Sequence, residues 1–361
     1  MTELSALRSL SLKATRVTDD GLLQHIPQLA GLQGLSLAYL DISDASLLAL
    51  ESVAWLERIN LRHTAITNDG IVNLVCGKAH TLRQLNLSNT AISDEALAEC
   101  LPNSQLNHLS LIDTGITDAA CKECGSCEWL ADLRLDLTDI TDDGVRHLTN
   151  CAHLQTLDLF RTKVTDTSLV WLSDTRVEHL GLGYTSVTDA GIPALTEFPA
   201  LQSLDLQGTS LTDRGLRFLG SVASLSRLHL EHTKIANAGI EFLLQLPLES
   251  LSLNPKIDNA GLNTLSNHKS LRRLAIWNCR VTGWQPLKNL DRLQVLLIDD
   301  SVIDLSPLRL LNQLEVLLLW GDQFSPTEVA RLRLALPQCQ IKTLAACERA
   351  VDEFWNLCRG S

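Results

Sequence analysis

Cys121, Cys124 and Cys127 are the residues whose type and spacing most invite chemistry, because closely spaced thiolates can bind zinc or an iron–sulfur cluster. A second group is Asp205, His229 and Glu231, two carboxylates and an imidazole that could share a metal ion or divide acid and base roles. A third group mixes rings with charge: Arg58, Asn60, Arg62, His63, Arg134, Asp158, Phe160, Arg161, Tyr184, Trp277 and Trp320. Aromatic and arginine side chains are the usual anchors of protein-binding surfaces. The chain has no Gly-rich phosphate loop, no Gly-x-Ser-x-Gly elbow and no His-Glu-x-x-His.

A repeat must position these residues. The frame Leu-x-x-Leu-x-Leu recurs with its third apolar residue at Leu12, Leu37, Leu61, Leu87, Leu111, Leu135, Leu159, Leu182, Leu206, Leu230, Leu253, Ile276, Ile298 and Leu319. Leu-x-Leu alternates with period two, so each copy predicts a short strand with its leucines facing the core. A small hydrogen-bonding residue follows three positions on, as in Thr15, Thr64, Thr90, Thr209, Cys279 and Ser301. Stacked, these residues predict a ladder that satisfies backbone groups where the chain leaves the strand. Ile/Val-Thr-Asp comes next and predicts a helix N-cap. Two residues after the Asp stands Gly, Ala or Ser, as in Gly144, Ala120 and Ser168, read as letting helix and sheet approach closely. No single unit can bury its own leucines, so the units must stack. The prediction is an α/β solenoid of about fourteen repeats, a horseshoe with a parallel concave sheet and convex helices.

The frame weighs each candidate. Cys121 and Cys124 fall in the slots that hold Leu97 and Cys100 one repeat earlier, so the cysteine triplet reads as core, with a metal site as the alternative. His229 and Glu231 alternate on one predicted strand, with Asp205 in the slot of His229 one repeat before. A solvated concave patch with one cross-strand ion pair is the simpler reading. Arg134 beside Asp158 reads the same way. Tyr39, Phe160, Tyr184, Trp277 and Trp320 all fall within two positions of the third leucine, and both tyrosines of the chain are among them. These aromatics point to binding on the concave face.

The pattern resembles leucine-rich-repeat proteins of the Thr-Asp-x-Gly-Leu type, as in Ile116-Thr117-Asp118 and Val187-Thr188-Asp189-Ala190-Gly191. It is similar to the cysteine-containing arrays of F-box proteins and to bacterial leucine-rich-repeat proteins. It departs from the F-box arrays in carrying Thr where they carry Cys or Asn, and in having no F-box segment. The late repeats, with Pro286 and Pro307 in place of the Gly and the capping Asp, resemble internalin-like repeats of about 22 residues. The resemblance implies a non-catalytic scaffold that recognises a partner protein through the concave face. The narrower alternatives are a substrate-recognition subunit of a ubiquitin-ligase-like complex or a bacterial effector. A metal-dependent hydrolase is the alternative from a different class.

Bulk properties narrow the partners. A net charge of −12 disfavours phosphate backbones and anionic membranes, leaving a protein partner rather than nucleic acid or lipid. Met1-Thr2-Glu3 runs at once into patterned sequence, without the basic start and apolar run of a secretory signal. Ten cysteines in 361 residues are too sparse for a disulfide scaffold. The expectation is a cytoplasmic protein with no cofactor and no metal. Residues 1–275 are read as repeats of about 24 residues, 276–341 as shorter repeats and 342–361 as a capping helix. Leu4, Leu7 and Leu10 begin the array without a polar cap, which points to a fragment, or to self-association or a partner at that end.

Overall fold

Each Leu-x-Leu alternation becomes a strand because its two leucines can be buried together only on an extended backbone. The computed structural model describes residues 6–253, 256–277, 281–299, 301 and 304–344. The chain divides into two compact units, Met1–Gly181 and Leu182–Ser361. The first holds strands β1 (Ser9–Ser11), β2 (Gly34–Ser36), β3 (Arg58–Asn60), β4 (Gln84–Asn86), β5 (His108–Ser110), β6 (Asp132–Arg134), β7 (Thr156–Asp158) and β8 (His179–Gly181). They pair in parallel, each with the next, in unbroken register. Its helices are α1 (Asp19–His25), α2 (Asn68–Gly77), α3 (Asp94–Cys100), α4 (Asp118–Cys124), α5 (Asp142–Leu148) and α6 (Asp166–Leu172), with a 3-10 helix at Asp44–Leu50.

The second unit holds β9 (Ser203–Asp205), β10 (Arg227–His229), β11 (Ser250–Leu253), β12 (Arg273–Ile276), β13 (Val295–Asp299), β14 (Val316–Trp320) and β15 (Gln340–Leu344). These strands also pair in parallel, in chain order. Helices α7 (Asp213–Leu219), α8 (Ile240–Leu243), α9 (Asn259–Leu265) and α10 (Pro326–Ala335) alternate with them. In the late repeats the Pro286 and Pro307 turns are 3-10 helices, Gln285–Asn289 and Ser306–Leu310, and the strands beside them lengthen to five residues. The architecture is the α/β solenoid that the repeat predicts. Among the described residues no helix is long and apolar enough to cross a membrane. Lys342, Thr343 and Leu344 finish β15 rather than starting a helix. The rest of the expected capping helix lies outside the described residues, as do Leu4 and Cys279.

The core lies between strands and helices. Leu109, Leu111, Leu133 and Leu135 are fully buried, as are the helix residues Leu97, Cys121 and Val145. Each such leucine contributes about 2 kcal/mol of apolar burial. Leu10 and Leu12 of the first turn are only half-buried, against 3% and 1% exposure for the equivalent Leu35 and Leu37. A cavity of about 340 Å³ also lies on the helix side, lined by Leu47, Leu48, Leu74 and Lys78.

Two polar devices lock each turn to the next. The ladder threonines act within their own repeat: Thr64 and Thr209 donate to the carbonyls of Leu61 and Leu206 at 2.7 and 2.6 Å. The motif Asp acts between repeats. The N–H and O–H of Thr141 donate to Asp118 Oδ1 and Oδ2 at 2.8 and 2.6 Å, and Asp44–Thr67, Asp94–Thr117, Asp142–Thr165 and Asp189–Thr212 repeat the arrangement. This corrects the reading of the small residue two positions after the Asp. A Cβ at Gly215 would stand 2.5 Å from Asp189 Oδ1, the preceding repeat's carboxylate, so the slot is small to admit that carboxylate. Ser168 uses its hydroxyl instead to donate to Asp142.

Candidate protein-binding face

The sheet face away from the helices carries the first and third residue of each short strand, and in the first unit most of these are polar. Arg58 and Asn60 lie on β3, half-buried, with Arg58 3.1 Å from Glu57. Asn60 Oδ1 accepts from the Arg62 N–H at 3.0 Å, which holds Arg62 at the strand's end. His63 then turns the chain with φ of 56°, a left-handed conformation. Its ring stacks on Tyr39 at 5.2 Å, and the Arg62 guanidinium lies 5.6 Å from the same ring. Tyr39, Leu137, Arg161 and Tyr184 hold the same left-handed position in their own repeats. A side chain there costs about 1 kcal/mol. The repeat accepts it because the N–H still extends the ladder, as Tyr39 N–H does to Arg62 O at 2.8 Å.

The densest charge cluster is on β5 to β7. Arg134 Nε lies 3.1 Å from Asp132 and 3.8 Å from Asp158 on the next strand, and His108 Nδ1 lies 3.0 Å from Asp132. Burial alone would raise the Asp132 carboxyl, but hydrogen bonds from His108 and Arg134 hold it below the ordinary range. Asp136 is driven the other way, up to about 7, by burial and by the charge of Asp158. Its Oδ1 accepts from the Phe160 N–H at 2.9 Å, and the Arg161 guanidinium sits 5.4 Å from the Phe160 ring. Arg134 and Asp158 are brought together as the cross-strand pair that the sequence suggested, and Arg161 lies against Phe160. His108, Asp132 and Asp136 complete the cluster and were missed. The signal for the two aspartates was the period-two alternation of Asp132, Arg134 and Asp136 along β6 and the residues just after it.

The second unit differs. Tyr184 is exposed and tilted against His232 at 6.1 Å. Gly208, at φ of 65°, lies under the Tyr184 ring, where a Cβ would stand 2.5 Å from a ring carbon. His229 is 4.0 Å from Asp205, the expected cross-strand pair. Glu231 corrects the expectation of a solvated patch. It is buried, its Oε1 accepts from the Ser252 hydroxyl, and burial and the charge of Asp205 push its carboxyl up to about 7. Trp277 is likewise not an exposed anchor. It is buried, its indole N–H donates to Ser252 at 3.1 Å, and Trp320 meets it edge-on at 5.3 Å. The reason is local: Ala275, Leu297 and Leu318 give these strands an apolar surface for both rings.

Cys121, Cys124 and Cys127 are buried free thiols in the core slots the repeat frame assigned. Burial raises all three, Cys127 to about 11, so none is a thiolate at neutral pH. Among the described residues no group of three or more His, Cys, Asp and Glu side chains could hold a metal ion, and Asp205, His229 and Glu231 do not form one.

Residues 78–99, 150–172 and 199–220 match the family model described as Leucine Rich repeat. No curated protein matches the chain in sequence. Among solved structures, an internalin from Listeria monocytogenes is similar over 90% of this chain and 88% of its own, with 21% identity and a TM-score of 0.55. TLR13, solved with ssRNA13, is similar over 95% of this chain but only 53% of its own, with 21% identity and a TM-score of 0.57. Rad7, solved with Elc1 from yeast, is similar over 83% and 78%, with 17% identity and a TM-score of 0.56. At these identities the likeness concerns the fold.

Proposed function

We propose that this chain, whose fold is a leucine-rich-repeat solenoid and three of whose segments match the leucine-rich-repeat model, is a non-catalytic scaffold that holds a partner protein on the helix-free face of its first unit. The observation that carries this reading is the cluster on β5 to β7. Charges of both signs stand half-buried on hydrogen-bonded strands with Arg134 shared between two carboxylates, and just past β7 the half-buried Phe160 ring meets the exposed Arg161 guanidinium. Pre-ordered arginine and aromatic side chains lose little entropy on binding, which suits them to act as anchors. Arg58, Asn60, Arg62 and His63 extend the surface along the same sheet. The net charge of −12 favours a protein over a nucleic acid or an anionic membrane. Buried free cysteines with raised pKa values favour a reducing, cytoplasmic setting.

Affinity capture from a lysate of the source organism tests the reading. Wild type should retain a protein that a Phe160→Ala, Arg161→Ala variant of unchanged circular dichroism holds at least tenfold less. Equal retention by both would move the interface off this face. A substrate-recognition subunit of a ligase-like assembly would use the same face and would bring further subunits in the same capture. The half-buried Leu10 and Leu12 support self-association at that end, which light scattering would detect as a dimer that Leu10→Glu returns to monomer. A wild type that is monomeric at high concentration would remove that part.

A further inference from the structure

The helix-free face of the first unit changes character along the array. From β1 to β5 the register sets Ser9, Gly34, Arg58, Gln84 and His108 in one row, while the row beside it holds only serines and asparagines. Neither row has a carboxylate until β6 brings Asp132 opposite His108. In a chain of net charge −12 such a stretch stands out. Its side chains line an open groove of about 280 Å³. The groove is rich in hydrogen-bond donors that the protein itself does not use. The Arg62 and Ser88 N–H groups donate to Oδ1 of Asn60 and Asn86, both at 3.0 Å, so each amide keeps its NH2 for a ligand. The Arg58 guanidinium lies over Gly34, where a Cβ would stand 3.1 Å from Nη2 and 3.3 Å from Nε. Arg58 Nη1 donates to Glu57 at 3.1 Å, and among the described residues Nε and Nη2 have no acceptor. A second positive pole stands where β2 and β3 end. Lys13 Nζ and the Arg62 guanidinium lie 5.5 and 5.6 Å from the exposed Tyr39 ring, and the buried Arg62 Nε has no hydrogen-bond partner among the described residues. Of the three permanent charges on Lys13, Arg58 and Arg62, only that of Arg58 is paired with a carboxylate among the described residues.

Resting on the reading of this face as a protein-binding surface, we propose that the groove receives an acidic segment of the partner. Its glutamate or aspartate carboxylates meet Arg58 and Arg62, and its main-chain carbonyls accept from the asparagine amides. Unused donors and unpaired positive charge both select an acceptor that carries negative charge. A long polyanion fits less well, because past β5 it would meet Asp132 and Asp158 and then the negative charge of the whole chain. A short acidic segment feels mainly the charges within about 8 Å. The four strand intervals from β1 to β5 span about 19 Å, the reach of about six extended residues.

Fluorescence anisotropy of labelled hexaglutamate with the full chain tests it, against hexaglutamine and an oligothymidylate of six nucleotides. The wild-type chain should bind hexaglutamate at least tenfold more tightly than either. That comparison needs no substitution, so it decides the matter even where a variant fails to fold. Hexaglutamine or oligothymidylate bound as tightly as hexaglutamate would overturn the proposal. An Arg58→Gln, Arg62→Gln variant of unchanged circular dichroism should bind hexaglutamate at least tenfold more weakly, having lost its charge-assisted hydrogen bonds. Gly34→Val keeps every charge but takes the space of the Arg58 guanidinium, and should weaken binding at least threefold. Affinity unchanged in both variants would overturn the proposal. The partner capture separates this inference from the scaffold reading. A partner lost by the Phe160→Ala, Arg161→Ala variant but retained by the Arg58→Gln, Arg62→Gln variant would keep the scaffold and overturn the acidic segment.

Discussion

Glu231→Gln is expected to stabilise the protein, by about 3 kcal/mol at pH 8.5 and by about 1 kcal/mol at pH 5.5. Glu231 is 6% exposed; its Oε1 accepts from the Ser252 hydroxyl, and among the described residues its buried Oε2 has no hydrogen-bond partner. Burial, then the charge of Asp205, raises it from 4.5 to about 7. A carboxyl raised on folding is harmless below its unfolded value, where it is protonated in both states. As pH rises the unfolded form ionises first, and stability falls until the folded pKa is passed. Above that point the full penalty stands, the distance from 4.5 to about 7 taken at about 1.4 kcal/mol per tenfold in proton affinity. The amide can still accept from Ser252 without carrying the charge. Urea unfolding followed by tryptophan fluorescence at the two pH values reads the difference, and Trp277, bonded to the same serine, reports from the site. An equal gain at both values would mean that Glu231 does not titrate in this range. A loss at both would mean that its charge is compensated and useful.

Glu231 also marks where the sequence was hard to read. Leu-x-Leu, the ladder threonine and the helix leucines are each signals within one repeat, so strands, helices and the core slots of Cys121 and Cys124 were legible. The inter-repeat bonds from carboxylate to threonine were not read, because each Asp also fits the N-cap pattern of its own helix while its partner stands 23 residues on. Asp118 looked like a cap for its own helix, whereas it serves Thr141. The fate of Trp277 was legible but overlooked. Val295-Leu296-Leu297-Ile298 and Val316-Leu317-Leu318-Leu319 are unbroken apolar runs, the signature of a sheet covered on both faces. A tryptophan beside them is more apt to be covered than exposed. The left-handed positions of Tyr39, His63, Arg161 and Tyr184 had no local signal, since such side chains rarely adopt positive φ. Only the shared register of successive repeats, with Gly208 in the same slot, gives them away.

The inter-repeat carboxylates should be the most sensitive points of the whole array. Asp118→Ala removes two charge-assisted hydrogen bonds to Thr141 and should cost about 2 kcal/mol after allowance for their partial exposure. It also frees Thr141, which caps α5 by accepting from the Asp143 N–H at 3.3 Å. Gly144 lies beneath the same carboxylate, and a Cβ there would collide with Asp118 Oδ1 and stand 3.2 Å from its Cα. Sibling repeats show what the slot tolerates: Ala120 sits beside an intact Asp94–Thr117 pair, and Ser168 donates to Asp142. Gly144→Ser should therefore change stability by less than about 1 kcal/mol, the new hydroxyl offsetting a small shift. Gly144→Val has no donor and a branched Cβ, and should cost about 3 kcal/mol. The two losses share one cause, so they should not add. In the Asp118→Ala background the valine should cost at least about 1 kcal/mol less, a coupling that a double-mutant cycle resolves. Strict additivity would mean that valine acts through helix packing alone. Acid should expose the same devices. At Asp142 burial would raise the carboxyl, but hydrogen bonds from Ser168 and Thr165 outweigh it and hold the group below its ordinary value. A lowered carboxyl contributes stability above its unfolded pKa and loses it as pH falls through the folded one. The Asp142–Thr165 junction should therefore lose stability as pH falls through the folded value of Asp142, a loss that urea unfolding at descending pH reads and that Asp142→Asn should abolish.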